Sequence, residues 1–351
     1  MSILVSTTIV LGDDQELNHS EMSDTSLNSN NNVNSNEKAS DNQKSQQERS
    51  SCETSKLSNR SKTTTTAERI HKLQNYNNSC WLNSILQTLW AILRKDNNLI
   101  PSKENDMGSI VYNWLLSMLD EPSETLDMHT QKLMHSPIDF KQSFLICIGK
   151  LEEWGCDTQQ DANEALQLII NNCPSLRQLK HSEEEILTCP VCNYTRSQIM
   201  PETIIPIPID ATFVENGRLN VEKSLKIRFN REQKSEAICV EAECRFQLER
   251  KLILKNDARN LFVQIERAKP DNSKDKTKCI ITEKIHLNNE ATESSYELIA
   301  AITHIGQQVD EGHYVCYKKD GNEWYLCDDA SISKADIQDL EASSMLVYRR
   351  I

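Results

Sequence analysis

The sequence predicts an α+β fold in which helices come first and strands follow. Apolar residues recur at helical spacing in the first part of the folded region, and short runs rich in isoleucine, valine and aromatic residues follow Ile186. A chain of 351 residues is long enough for one large domain or two modest ones. Because no low-complexity linker interrupts the periodic pattern after Glu68, one folded unit is the simpler interpretation.

The first part of the chain differs in composition from the rest. It is rich in Ser, Asn, Gln and Thr, and the first aromatic residue of the chain is Tyr76. Such a segment has too little apolar surface to offset the entropy cost of ordering its backbone. We therefore expect residues 1–66 to form a disordered low-complexity leader and residues 67–351 to form the folded domain.

Three segments before Ile186 carry the spacing of amphipathic helices. The clearest apolar stripe runs from Leu82 to Leu93, a second spans 110–119, and a third follows Asp161. The predicted strands after them cover residues 204–209, 252–254, 261–265, 296–302 and 314–317.

The bulk composition excludes some classes of protein. A formal net charge of −13 argues against a nucleic-acid binder, which needs Lys and Arg on phosphates. We expect neither a secretory signal nor a membrane span, because the apolar stretch near the start is short, broken by Ser and Thr, and lacks basic residues. A reducing intracellular compartment, cytoplasmic or nuclear, follows, in which the 12 cysteines serve metal binding or chemistry rather than disulfides.

Cys80 stands at the start of the predicted helix with the clearest apolar stripe. Unpaired backbone N–H groups and the helix dipole favour an anion there, which lowers the pKa of a thiol and makes the thiolate available as a nucleophile. The polar residues Asn75, Asn77, Asn78 and Ser79 precede it. An amide beside a nucleophile stabilises a developing oxyanion by roughly 3–4 kcal/mol. The alternative is a space-filling cysteine preceded by a turn.

A histidine and an aspartate come together in a predicted hairpin. The dipeptide Asp320-Gly321 between two strand-like runs is typical of a two-residue hairpin loop. With that loop His313 directly faces Asp328, at a Cβ separation of about 4.5–5.5 Å. A loop one residue longer places Asp329 opposite instead. A carboxylate there orients an imidazole that takes a thiol proton, and the alternative is a weak pair on a surface hairpin.

Two pairs of cysteines have spacings suited to a metal. Cys189 and Cys192 form a compact knuckle, and Cys239 and Cys244 supply a second pair later in the chain. Four thiolates in tetrahedral geometry make a structural zinc site, and they leave no open position for catalysis. The second pair has four intervening residues rather than two, and the alternative is two reduced pairs without metal.

Residues 73–90 resemble the cysteine box of the ubiquitin-specific protease family, whose pattern is Gly-Leu-x-Asn-x-Gly-Asn-Thr-Cys-Tyr-x-Asn-Ser-x-Leu-Gln. The resemblance implies that Cys80 is the nucleophile and Asn75 the oxyanion residue. Lys72 and Asn77 stand where the family has glycine. Glycine at the second position indicates a backbone with positive φ, and asparagine is the next most tolerant residue for that conformation.

The remaining family motifs follow in order. Residues 296–304, 312–314, 324–325 and 328–329 are similar to the histidine box, and residues 344–349 to the closing strand. They imply His313 as general base, Asp328 as the orienting acid and Asp329 as an auxiliary. Residues 159–166 resemble the segment Gln-Gln-Asp-x-x-Glu-Phe-Leu, whose aspartate binds an arginine of the ubiquitin tail. We assign Asp161, Glu164 and Tyr314 to substrate binding, and Asp161 with Glu164 also to helix capping.

The resemblance implies a papain-like thumb (about 67–184) and palm (about 256–351) with a β-rich, zinc-binding fingers extension (about 185–255). It implies a cysteine-type deubiquitinase that hydrolyses the isopeptide or peptide bond after the C-terminal glycine of ubiquitin. It further implies catalysis without a cofactor, ubiquitin and ubiquitinated proteins as partners, and a monomeric catalytic domain. A protease for another ubiquitin-like modifier, or a ubiquitin-binding pseudoenzyme, is the alternative.

Overall fold

The computed structural model describes residues 72–94, 105–120, 137–155, 157–241, 244–255, 258–288 and 292–351. All of them belong to one compact unit, Thr54–Ile351. The predicted leader, residues 1–66, lies outside the described residues, so its disorder stays a prediction.

The helices are concentrated in the first part of the described chain, as predicted. They are α1 (Cys80–Leu93), α2 (Asp106–Asp120), α3 (Pro137–Cys147), α4 (Leu151–Trp154), α5 (Ala162–Asn172) and α6 (Val221–Asn230), with 3₁₀ turns at Pro174–Leu179 and Ile337–Ala342. Every residue of α1 is buried, so it is the central helix of the core. The three predicted helices correspond to α1, α2 and α5, and Asp161 caps α5 through its side chain.

Strands dominate after α5. They are β1 (His181–Thr188), β2 (Thr195–Glu202), β3 (Ile204–Pro208), β4 (Val214–Glu215), β5 (Arg218–Asn220), β6 (Gln233–Ile238), β7 (Gln247–Leu254), β8 (Asn260–Glu266), β9 (Lys278–Ile280), β10 (Lys284–Asn288), β11 (Glu293–Ile305), β12 (His313–Asp320), β13 (Glu323–Asp328), β14 (Ser331–Ala335) and β15 (Met345–Arg350). All five predicted strand segments correspond to these strands, the first ending at Pro208 rather than at residue 209, which confirms the α+β class.

The largest sheet has the strand order β14-β13-β12-β11-β15-β8-β3, with β10 added beside β11. Its neighbours are antiparallel except for β3 and β8. Successive residues alternate between two cores: Ala300 and Ile302 of β11 pack with the helices around α1, whereas Ala301 packs in the core that contains α6. Because both faces are covered, this sheet is a rigid platform on which β12 and β13 lie close to α1.

A second, smaller sheet extends from this platform. Its order is β2-β1-β7-β6 and all its pairs are antiparallel. Strand β2 is exposed along most of its length. Only a small cluster around Leu187 and Leu248 is buried near the cysteine pairs, so a cross-link would contribute strongly to order there. A three-stranded sheet, β4-β5-β9, completes the described strands.

The predicted register of the β12–β13 hairpin is wrong by two positions. Asp320 pairs with Glu323, so the loop is Gly321-Asn322 and begins one residue later than predicted. Gly321 adopts φ = 58°, a left-handed conformation that glycine takes without steric cost, and this places the turn. Moving the loop centre by one residue changes every pairing by two. Because the side-chain period of a strand is also two, His313 and Asp328 remain on one face.

Candidate active site

Cys80 is the first residue of α1, and only 3% of it is exposed. Burial is the largest influence on its thiol and raises the pKa. Backbone N–H groups of Tyr314, Trp81 and Cys80 itself oppose this effect, and the negative charge of Asp329 adds to it. The backbone N–H groups at the helix start lower the pKa of the thiol, as predicted, but the rise caused by burial is larger. The thiol therefore needs a base to become a nucleophile.

The segment before Cys80 adopts the strained backbone that the family pattern indicates. Asn77 and Asn78 have φ of 50° and 54°, two consecutive left-handed residues without a glycine. The buried Lys141 of α3 donates from Nζ to the carbonyl oxygen of Asn77 at 2.6 Å. Asn78 Nδ2 donates to the carbonyl of Asp157 at 2.7 Å. Contacts from two other segments thus hold this turn in place.

His313 and Asp328 form the predicted pair. His313 Nε2 lies 2.6 Å from Asp328 Oδ1, and 3.8 Å from Asp329 Oδ2. The ladder between β12 and β13 ends at Cys316 and Cys327, so His313 reaches Asp328 diagonally rather than directly across. With Nε2 engaged by the carboxylate, Nδ1 is the ring nitrogen that is left to accept a proton.

Asp329 has different partners from Asp328. Its φ is 49°, and its carboxylate accepts from Asn83 Nδ2 at 2.7 Å. The side chain of Asn75 also donates to it, and burial raises the pKa of Asp329 against these hydrogen bonds. Asn75 Oδ1 accepts from the backbone N–H of Ser79 at 2.8 Å. The second aspartate therefore binds the segment that precedes the nucleophile, a connection that spacing along the chain did not indicate.

Gln159 joins the two sides of the site. Its Nε2 donates to Cys80 Sγ at 3.8 Å, and its Oε1 accepts from the backbone N–H of Gly312 at 3.0 Å. Sequence reasoning assigned no role to Gln159. Its only signal was its position two residues before Asp161 in the recognised segment.

These features match a known family. The family model described as ubiquitin carboxyl-terminal hydrolase matches residues 71–348. The chain belongs to this family. Ubiquitin carboxyl-terminal hydrolase 4 of Arabidopsis thaliana is 21% identical over 314 residues, which are 76% of this chain and 85% of that protein. Membership confirms the predicted enzyme class, a cysteine-dependent ubiquitin hydrolase.

Solved structures of this kind share the fold. The SAGA Ubp8/Sgf11/Sus1/Sgf73 DUB module bound to monoubiquitin matches with a TM-score of 0.62 at 18% identity, over 82% of this chain and 72% of that chain. The same module bound to ubiquitin aldehyde matches with a TM-score of 0.61, at the same identity and coverage. The fold of this ubiquitin hydrolase is therefore one that solved structures already show. Within the described ranges no helix has the length and apolarity needed to span a bilayer.

The residues predicted to bind ubiquitin lie at the start of α5 and on β12. Asp161 Oδ1 accepts from Asn163 N at 2.6 Å, so the predicted cap is confirmed, and Glu164 is exposed in the first turn. Tyr314 is buried beside His304, with ring centroids 4.5 Å apart. Burial and then the charge of Asp161 raise the pKa of the Tyr314 phenol. Tyr314 therefore packs between the sheet and α5, next to the catalytic candidates.

The four predicted zinc ligands of this ubiquitin hydrolase meet at the end of the smaller sheet. Cys189 Sγ lies 3.5 Å from Cys244 Sγ, and Cys192 Sγ lies 3.5 Å from Cys239 Sγ. All four sulfurs fall within 4.8 Å of one another. Tetrahedral zinc with bonds of about 2.3 Å separates its sulfurs by roughly 3.8 Å, so the cluster fits such an ion. Backbone N–H groups, first that of Cys192, lower the pKa of Cys189 to about 6, whereas burial raises the pKa of Cys239 and of Cys244.

Proposed function

We propose that this ubiquitin hydrolase cleaves the isopeptide or peptide bond after the C-terminal glycine of ubiquitin through a Cys80 thioester. His313 is the general base, and Asp328 orients its ring. One observation carries the proposal: an imidazole–carboxylate pair of 2.6 Å stands at the start of β12, whose next residue points its backbone N–H at the Cys80 sulfur. The proposal therefore assigns thiol, base and orienting acid to one site.

The reaction has two stages. His313 takes the Cys80 proton, and the thiolate attacks the carbonyl carbon of the terminal glycine. The imidazolium then gives its proton to the departing amine, and a thioester to Cys80 remains. In the second stage His313 takes a proton from water, the hydroxide attacks the thioester, and the proton returns to the thiolate. Asp328 stabilises the charged imidazole in both stages.

Asn75 is the proposed oxyanion residue, and Asp329 keeps it in position. The bonds of Asn75 to Ser79 N and to Asp329 fix the plane of its amide, whose N–H₂ group is the donor for a developing oxyanion. Asn83 anchors Asp329 from α1. In this arrangement Asp328 serves the base and Asp329 serves the oxyanion donor.

The ubiquitin tail would enter along the start of α5. Within the described part of the chain, the hydrogen bonds that the Asp161 carboxylate accepts from Asn163 both go to Oδ1, which leaves Oδ2 for a guanidinium of the tail. The exposed Glu164 adds negative charge one turn away. In this proposal the tail lies in a channel between the start of α5 and β12. Tyr314 lines the β12 side of the channel, and the loop of residues 306–312 borders it.

The smaller sheet would be the fingers (about 185–255), between a thumb (about 67–184) and a palm (about 256–351). Cys189, Cys192, Cys239 and Cys244 would hold a structural zinc at its end, and such an ion supplies cross-linking rather than chemistry because four thiolates complete its coordination. We further propose a monomeric catalytic domain that acts in the cytoplasm or the nucleus on ubiquitinated proteins.

The experiment is labelling with ubiquitin that carries a C-terminal electrophile. Wild-type protein is expected to form a covalent adduct, and the Cys80→Ala and His313→Ala variants are expected to lose it. The matched control is Cys147→Ala, a partly exposed thiol at the end of α3. Hydrolysis of linked diubiquitins should follow the same pattern of variants.

Three results would overturn this proposal. Adducts formed only with a different ubiquitin-like modifier would assign the chain to that modifier. Ubiquitin binding without any adduct, in a folded protein, would make it a pseudoenzyme. Retention of the adduct by Cys80→Ala would place the nucleophile elsewhere.

A further inference from the structure

Gln159 lies on the segment just before α5, and its side chain contacts the reacting sulfur at the start of α1. Its amide is engaged at both ends, by the Cys80 sulfur and by the backbone N–H of Gly312. Gln159 is half-buried, and its bond to the Cys80 sulfur is the better shielded of the two, since the bond from Gly312 is exposed.

The Gly312 bond decides which way the amide points. A backbone N–H only donates, so the oxygen of Gln159 must face it. The N–H₂ group is then directed at Cys80, whose sulfur becomes a full acceptor once it is a thiolate. A donor to an ionised acceptor is roughly twice as strong as one to a neutral acceptor, so the bond gains strength when the proton leaves.

Gly312 is a firm anchor for this link. A Cβ placed on it would meet the carbonyl oxygen of Ile305 at 2.2 Å and Nε2 of His304 at 2.6 Å, so only glycine allows this close approach. The next residue is His313. Gln159 therefore fixes the sulfur relative to the main chain that carries the base.

We propose that Gln159 is a catalytic residue whose side-chain amide holds the Cys80 thiolate and links it to the backbone next to His313. The proposal rests on the function proposed above. The hydrogen bond from Gln159 to the sulfur becomes stronger when the proton has moved to His313 and the sulfur carries negative charge. Gln159 then shares that charge with the backbone N–H of Tyr314.

The test is the pH dependence of Cys80 alkylation by iodoacetamide, followed by mass spectrometry of the peptide that carries Cys80. No ubiquitin is needed, so the result does not depend on hydrolysis. Gln159→Met keeps the length but removes donor and acceptor, whereas Gln159→Glu keeps the acceptor for Gly312 and places a negative charge beside the sulfur. The titratable groups that act on the sulfur, Asp329 and Tyr314, and His313 beside Asp329 are unchanged in both variants.

We expect the alkylation midpoint to rise by about one pH unit in Gln159→Met and further in Gln159→Glu. The kcat of a fluorogenic ubiquitin substrate should fall about tenfold or more in both. Gln160→Ala is the matched control, because its amide donates to Trp154 O and Thr158 Oγ1 instead, and it should keep the wild-type midpoint. Thermal melting establishes that each variant is folded.

The outcomes are distinct. Wild-type midpoints in both folded Gln159 variants would overturn the role of Gln159. If the midpoints shift as expected but wild-type protein forms no thioester with ubiquitin, the contact with the thiolate stands and the proposed hydrolase chemistry fails. If hydrolysis is lost without any shift in midpoint, Gln159 acts on the substrate and not on the thiolate, which contradicts the proposal.

Discussion

His313 and Asp328 touch through a diagonal of the β12–β13 hairpin, because the strand ladder stops before it reaches either residue. Asp328 pairs with Ser331 of β14, and the turn between these two strands begins at Asp329, which adopts a left-handed backbone and sends its carboxylate toward α1. Two adjacent aspartates thus point to different partners. One contacts the imidazole, and the other contacts the segment that leads to the nucleophile.

Replacing each aspartate by asparagine tests whether Asp328 orients the imidazole while Asp329 holds Asn75. Asp328→Asn should lower kcat by about 10²-fold or more, because the imidazolium loses its carboxylate. The free energy of unfolding should change little, since the pair is half-exposed. Asp336→Asn, at the cap of the 3₁₀ turn Ile337–Ala342, is the control away from the site. Near-normal kcat in Asp328→Asn, with a large loss in Asp329→Asn, would transfer the orienting role to Asp329.

Because Asn77 lies in a left-handed turn before Cys80, we expect this position to tolerate glycine. Asn77→Gly should keep activity and stability close to wild type, because glycine adopts φ near 50° freely. Asn77→Val should destabilise the protein by about 1–2 kcal/mol, since a β-branched residue strains a left-handed backbone. Chemical denaturation of the three proteins measures the difference. Equal stability of the valine and glycine variants would contradict this account of the turn.

Lys141 should matter for catalysis although it lies on another helix. Its ammonium group is buried, bonds Asn77 O and lies 5.6 Å from the centroid of the Trp81 ring. Lys141→Met should therefore lower kcat more than it changes KM, as the segment that positions Asn75 relaxes. Lys150→Met is the matched control: that ammonium lies 6.0 Å from the Trp154 ring, and its hydrogen bond among the described residues goes to the carboxylate of Glu153. Equal kcat values for the two variants would rule out the positioning effect.

The cysteine cluster should bind zinc stoichiometrically. Purified protein is expected to contain zinc by elemental analysis, and Cys192→Ser should lose the metal and lower the melting temperature. Because four thiolates leave no open position, labelling of Cys80 by a ubiquitin electrophile should not require metal chemistry. Cys173→Ser, a buried cysteine beside α5, controls for loss of any thiol. An unchanged zinc content in the Cys192→Ser variant would contradict zinc binding at this cluster.

His304 should make stability depend on pH. Burial, followed by the charge of Lys274, lowers the pKa of His304 to about 4, against about 6.5 in an unfolded chain. The fold therefore favours the neutral ring, and this contribution is complete above about pH 6.5 and is lost as the pH falls toward 4. Between pH 7.5 and pH 5 the wild type should lose about 2 kcal/mol more than His304→Gln. His286→Gln, which replaces an exposed histidine of β10, should follow the wild type.

The family, the contact of His313 with Asp328 and the clustering of the four cysteines could be predicted because each depends on local pattern. Helical spacing located α1, and the placement of Cys80 at its first residue followed. The predicted contact of His313 with Asp328 was correct, although its derivation was not. The turn moved by one residue, and the two-residue period of a strand left both side chains on the same face.

Other elements carried weaker signals. Helix α6 is rich in charged residues and was not predicted, because its buried stripe is short and lies against the far face of the large sheet. Strand β2 has no buried residue and therefore no alternation to detect.

Sequence alone determined which residues are able to do chemistry here, since a residue type and its local secondary structure are properties of short segments. Only the tertiary structure decided which partners these residues contact. Asp329 binds Asn75 and Asn83, Lys141 binds the turn at Asn77, and Gln159 binds the Cys80 sulfur. These partners come from distant parts of the chain. Contacts of that kind depend on how the helices pack against the sheet, and no pattern within a single segment encodes them.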